Sequence, residues 1–206
     1  ACIGGWVLPS LADEPSRGVA ADRPAWDFSV PGVTSISADL HKYGYVPKGA
    51  SILLHRSMAL RHSQFWATAD WPGYGVVNST LQSTKSAGPL AAAWAVIHLL
   101  GDIGYAALAR QAREGTLALA QEVDGIPGLR VLAPPDSTLL AVGTDDSCDP
   151  YTVCDELLER GWFVQPQLPF RGGPASVHLS LSAATAAHVP DFLGALTAGT
   201  AAARAA

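Results

Sequence analysis

Apolar and polar residues alternate from Val33 to Asp39, which predicts a strand. Ser51-Ile52-Leu53-Leu54-His55-Arg56 predicts a second one, and His41 to Gly49, carrying two glycines and a proline, reads as the connection. Ala1 to Leu8 is apolar and glycine-containing, like the end of a buried strand and its turn. Pro9 to Pro31 holds four prolines and reads as irregular chain with one short helix. Asp70 to Pro89, rich in Gly, Ser, Thr and Pro, is a loop long enough to be functional. A helix is predicted from Leu90 to Val123, with a break at Gly101 to Gly104 and a stop at Gly125 and Pro127.

The last third alternates element types. Leu129 to Leu132, Ser137 to Val142, Trp162 to Gln165 and Ser176 to Leu181 read as strands. Tyr151 to Arg160 is an amphipathic helix closed by Gly161, and Ala183 to Arg204 a terminal helix broken near Pro190. Strands covered by helices on one side describe a small α/β sandwich. The expected division is residues 1–105, with the lysine loop, and residues 106–206, the linking helix and the small domain.

With 206 residues, 49% hydrophobic and 15% charged, the chain can build a sizeable core. A net charge of −5, with 13 scattered Lys and Arg, argues against a nucleic-acid surface. Cys2, Cys148 and Cys154 form neither a disulfide framework nor a metal cluster, so no metal is expected and a reducing, cytoplasmic location is. No apolar run reaches the ~18–20 residues of a membrane span, Leu90 to Leu100 being the best. The apolar opening Ala1-Cys2-Ile3-Gly4-Gly5 leads us to expect a fragment truncated at its N-terminal side.

One residue could set a reaction class. Lys42 sits at the end of the first strand, beside His41 and before a tight turn. A lysine held there could form an imine with an aldehyde, given a lowered pKa from partial burial and the neighbouring imidazolium. By position alone a surface loop lysine is the stronger reading. Asp39 would cap or fix the loop. Tyr43, Tyr45 and Trp71 suit a substrate pocket or ordinary packing, and Arg171-Gly172-Gly173 a carboxylate contact or an exposed turn. The remaining histidines stand at no metal spacing.

Asp39-x-His41-Lys42-Tyr43-Gly44-Tyr45-x-Pro47-Lys48-Gly49 resembles the cofactor-lysine motif of the sphingosine-1-phosphate lyase-like members of the pyridoxal-phosphate-dependent decarboxylase family. Ala1 to Gly5, Val33 to Ala38, Thr80 to Trp94, Gly161-Trp162 and His178 to Leu181 are similar to further segments of that family, so the resemblance covers essentially the whole chain. It implies the C-terminal part of an aminotransferase-like large domain plus a small α/β C-terminal domain, with pyridoxal 5'-phosphate as cofactor. It implies Lys42 as the Schiff-base lysine, His41 beside the cofactor phosphate and Cys2 against the pyridine ring. It further implies Thr84 reaching a neighbouring subunit's cofactor phosphate across a homodimer with shared sites, and Lys48 and Tyr43 near the substrate. The family's Arg is Lys85 here, a point charge in place of a planar fork. The family's ring-nitrogen Asp would fall just before Ala1.

The expected activity is carbon–carbon cleavage of a small-molecule amine with aldehyde release. Amino-acid decarboxylation by the same family, or a non-catalytic α/β binding protein, are the alternatives.

Overall fold

A computed structural model describes residues 2–11, 25–82 and 84–206. They form two compact units, one from the described parts of Ala1–Pro9 and Asp22–Tyr105, the other from those of Ser10–Ala21 and Ala106–Ala206.

The first unit opens on a single helical turn, α1 (Gly4–Val7), followed by a 3-10 turn at Pro9–Leu11 that begins in this unit. The strand expected at Ala1 to Leu8 is therefore not formed. Trp6 N and Leu8 N donate to the Ile3 and Gly4 carbonyls, 3.1 and 2.8 Å away. A strand needs a neighbour for its ladder, and no described sheet includes these residues. The short helix expected in Pro9 to Pro31 falls mostly outside the described residues.

Strands β1 (Ser35–Asp39) and β2 (Ser51–His55) pair antiparallel, from Ser35 opposite His55 to Asp39 opposite Ser51. Three short elements escaped the sequence reading: α2 (Met58–His62), β3 (Trp66–Thr68) and β4 (Val76–Asn78). β3 and β4 form a second antiparallel pair, so the expected loop at Asp70 to Pro89 is in part strand. Three-residue strands are too short to display a period of two. The core of this unit is Leu40, Val46, Ala50 and Ala93, with Trp6 and Val96 against them.

Helix α3 (Ala87–Val123) is interrupted at Gly101, whose φ of 56° and ψ of −175° are not helical. The break falls where the glycines predicted it. By length and composition α3 is the one described helix apolar enough to cross a membrane. Its stretch before Gly101 reaches only about 21 Å at 1.5 Å per residue, against ~30 Å of hydrocarbon. Its end is core, with Leu119 and Val123 almost fully buried.

In the second unit, β5 (Leu129–Val131), β6 (Leu139–Thr144), β7 (Gln165–Gln167) and β8 (Ser176–Ser180) make an antiparallel sheet in the order β5-β6-β8-β7. Leu140, Val142, Val177 and Leu179 join one core with Val153 and Leu157 of α4 (Pro150–Glu159) and Phe192 and Leu196 of α6 (Val189–Ala203). Asp149 caps α4, accepting from the Tyr151 and Thr152 amides at 2.9 and 3.0 Å. The strand expected at Trp162 begins later. Trp162 N donates to Leu157 O at 2.9 Å to close α4, and the Trp162 ring meets Phe192 edge-on at 5.2 Å. The predicted terminal helix divides into α5 (Ala183–Ala186) and α6, with Pro190 in the first turn of the latter.

Candidate active site around Lys42

The loop between β1 and β2 is tied at both ends. Leu40, Val46 and Ala50 point into the core, so the chain between them cannot drift outward. His41 N donates to Ala50 O at 3.2 Å and Val46 N to Leu40 O at 3.3 Å. Gly44 has no room for a side chain: a Cβ there would lie 2.4 Å from the Leu40 carbonyl oxygen. Tyr105 Oη donates to Gly44 O at 2.9 Å, and the Tyr105 ring meets Trp6 at 5.1 Å. Tyr45 holds a φ of 56°, a left-handed conformation costly for a bulky residue.

This frame presents the Lys42 amine with its side chain 39% exposed. Nζ lies 2.9 Å from Asp39 Oδ2, and the Cys2 sulfur is near enough to add to the rise of its pKa. Ser51 Oγ donates to Asp39 Oδ1 at 2.7 Å, which fixes the carboxylate. That bond, ahead of Lys42 itself, holds the Asp39 carboxyl below its ordinary value. His41 Nδ1 donates to Ala50 O at 2.9 Å, and among the described residues no hydrogen bond engages Nε2.

The expected lowering of the Lys42 pKa does not occur. Its pKa is raised, first by the bond to Asp39 and then by Cys2, and burial opposes this without prevailing. The side chain is too exposed for desolvation to decide, and a carboxylate is nearer than any cation.

The structure thus brings Lys42, Cys2 and Asp39 together and joins His41 to them through the frame around Ser51. Tyr43 is half-buried, edge-on to Tyr45 at 6.4 Å between ring centroids. Lys48 and Thr84 are exposed, and among the described residues no hydrogen bond or ion pair links either to Lys42. Arg171 lies in an exposed turn, φ 48°, over the Phe170 ring. Ser51 and Tyr105 were missed as parts of the loop's frame. Their one sequence signal was a polar residue at a strand start and a tyrosine just after the glycine break of the predicted helix. Among the described residues no cluster of His, Cys, Asp and Glu could hold a metal ion.

The donor set suits a carbonyl-bearing, phosphorylated cofactor: an accessible primary amine, a thiol that can pack beside a ring, and an imidazole whose free nitrogen can face an anion. A cleft of about 260 Å³ in the second unit, lined in part by Trp162, Leu181 and Phe192, contains none of these residues.

No family model matches the chain. Sphingosine-1-phosphate lyases from Oryza sativa and Arabidopsis thaliana are 36% and 37% identical to it over 192 and 195 residues, covering 93% of this chain and 34% of each relative. A probable L-aspartate decarboxylase from Thermococcus gammatolerans is 30% identical over 79% of the chain and 40% of its own length. The chain therefore spans about a third of the length of the curated lyases it matches. Among solved structures, the sphingosine-1-phosphate lyase of Burkholderia pseudomallei superposes with a TM-score of 0.87 at 35% identity, over 99% of this chain and 44% of that one. The glutamate decarboxylase of Lactobacillus brevis shares the fold, with a TM-score of 0.79 at 22% identity, over 100% of this chain and 46% of that one.

Proposed function

Over the third of its relatives' length that it spans, this chain belongs to the sphingosine-1-phosphate lyase-like, pyridoxal-phosphate-dependent decarboxylase family, and on that premise we propose that it acts as a carbon–carbon lyase on an amine substrate, releasing an aldehyde. The observation that carries this is the Lys42 loop. A primary amine is held accessible, by a frame buried on one side, at the position where the family motif carries its cofactor lysine.

Bound pyridoxal phosphate supplies an electron sink for the bond broken at the substrate α-carbon. The chain's own residues do the rest. Lys42 Nζ would hold the cofactor and, when free, would be placed to move a proton at that carbon. Asp39, 2.9 Å away, favours the protonated form of the free Nζ. His41 would contact the cofactor phosphate, and Cys2 would pack beside the ring. Tyr43 and Lys48 orient the substrate, with the Lys48 ammonium suited to a phosphate group.

Two copies make the working unit in this reading, with Thr84 of one reaching the neighbouring cofactor phosphate. The exposed apolar residues of β2, Ile52, Leu53 and Leu54, together with Leu90, Trp94, Leu99 and Ile103 of α3, support such pairing, since surfaces this apolar are normally covered. Three free cysteines fit a reducing, cytoplasmic setting.

The test uses the polypeptide as it occurs, supplied with pyridoxal phosphate and a phosphorylated long-chain amino alcohol. The expected result is a visible absorption band that borohydride bleaches and fixes on Lys42, with aldehyde released from the substrate. Lys42→Ala should abolish both. Carbon dioxide from an amino acid, with no aldehyde, would shift the assignment to a decarboxylase, and an adduct absent from Lys42 would overturn the reading.

A further inference from the structure

The peptide between Gly44 and Tyr45 is held from two sides. Its carbonyl accepts from Tyr105 Oη at 2.9 Å, and its amide, Tyr45 N, donates to Lys42 O at 3.1 Å. A trans peptide is planar, with its C=O and N–H pointing opposite ways. The two bonds therefore grip one rigid plate, with Tyr105 at one edge and the backbone of Lys42 at the other.

The gripped orientation is not the one the chain would choose unaided. It gives Tyr45 a φ of 56°, which the Cβ of an L-residue makes costly. A half-turn of the plate would carry that φ to roughly −120°, in the ordinary extended region. Gly44 has no Cβ to resist the matching change in its own ψ. The same half-turn would take Tyr45 N away from Lys42 O. Tyr105 is built to prevent it. The residue is 8% exposed, its ring packs on Trp6 with 5.1 Å between centroids, and it stands in the part of α3 that follows the Gly101 break. Burial raises its pKa, so the hydroxyl remains a donor.

We propose that Tyr105 is a positioning residue that latches the Gly44–Tyr45 peptide and thereby sets the direction in which Lys42 presents its amine. The proposal rests on the reading of Lys42 as the cofactor lysine. With the latch shut, Lys42 is fixed at both ends: its N–H donates to Asp39 O at 3.3 Å and its carbonyl accepts from Tyr45 N. The side chain then starts from one direction, beside Asp39. With the latch open, the carbonyl end is released and the amine spreads over several directions. Leu40, Val46 and Ala50 anchor the loop in the core, whereas Tyr105 governs the path of the chain past Lys42.

Tyr105→Phe removes the hydroxyl and keeps the ring on Trp6, so the variant should fold, and circular dichroism verifies that. Two readouts are taken on the polypeptide as it occurs. The first, without cofactor, is hydrogen exchange resolved to single amides. The Tyr45 amide should exchange about fivefold faster in the variant, as for loss of one hydrogen bond. The His41 and Val46 amides, bonded to Ala50 O and Leu40 O, should keep their wild-type rates. The second is titration with pyridoxal phosphate, in which the imine absorption of Lys42 should need about fivefold more cofactor to saturate in the variant. Unchanged exchange at Tyr45, equal acceleration of all three amides, or a cofactor titration identical to the wild type would overturn the proposal. A wild type that forms no imine at Lys42 would defeat the lyase reading instead, and the exchange pattern alone would then decide the latch.

Discussion

Lys42 Nζ and Asp39 Oδ2 lie 2.9 Å apart, three residues from one another at the end of β1. The pair decides the resting state of the amine. Neighbouring groups raise the Lys42 pKa, Asp39 being the largest cause, so the neutral amine is scarcer than for an ordinary lysine at the same pH. In Asp39→Asn the largest cause of that rise is removed, and the pH at which Lys42 becomes reactive should move down. The rate of Lys42 acylation, followed by mass spectrometry across a pH series, measures this. An unmoved midpoint would show that the ion pair does not set the amine's protonation.

Gly44→Ala tests the frame of the same loop. The new Cβ meets backbone, 2.4 Å from Leu40 O and 2.9 Å from Leu40 Cα, neither of which can step aside cheaply. The expected loss is about 1–3 kcal/mol of stability in urea unfolding. Gly194→Ala is the contrast. That glycine lies inside α6 with nothing within 4 Å of an added Cβ, and a gain of roughly 0.5–1 kcal/mol is expected. Equal effects of the two substitutions would remove the steric account.

Asp149 should make the second unit sensitive to acid. Its carboxylate accepts two amide bonds at the start of α4, and its pKa is lowered chiefly by the Thr152 hydroxyl. A carboxyl whose folded pKa lies below its unfolded value stabilises above the unfolded pKa, and loses that contribution as pH falls through the folded one. Asp149→Ala should therefore cost about 1 kcal/mol near neutrality, the usual worth of an N-cap. The gap to the wild type should close as the pH drops below about 4. Unfolding midpoints at several pH values measure it, and a gap constant into acid would contradict the assignment.

Much of the fold was legible in the residues alone because local rules and burial agree there. The β1 alternation, the Gly101 break in α3, the amphipathic helix over Tyr151 to Arg160 and the break near Pro190 each follow from the chain's own geometry. So did the family, through the His41-Lys42 motif. The misses have a common cause. Ala1 to Leu8 coils into a turn, and β3 and β4 emerge from an apparent loop, because short segments take the structure that their partners permit. Sequence put a lysine beside a histidine. Only the tertiary structure placed a carboxylate 2.9 Å from its amine, fixed that carboxylate through Ser51, and so raised the pKa that position alone led us to expect lowered. A motif fixes which groups are present, whereas the sign of an electrostatic shift depends on distances that chain folding sets.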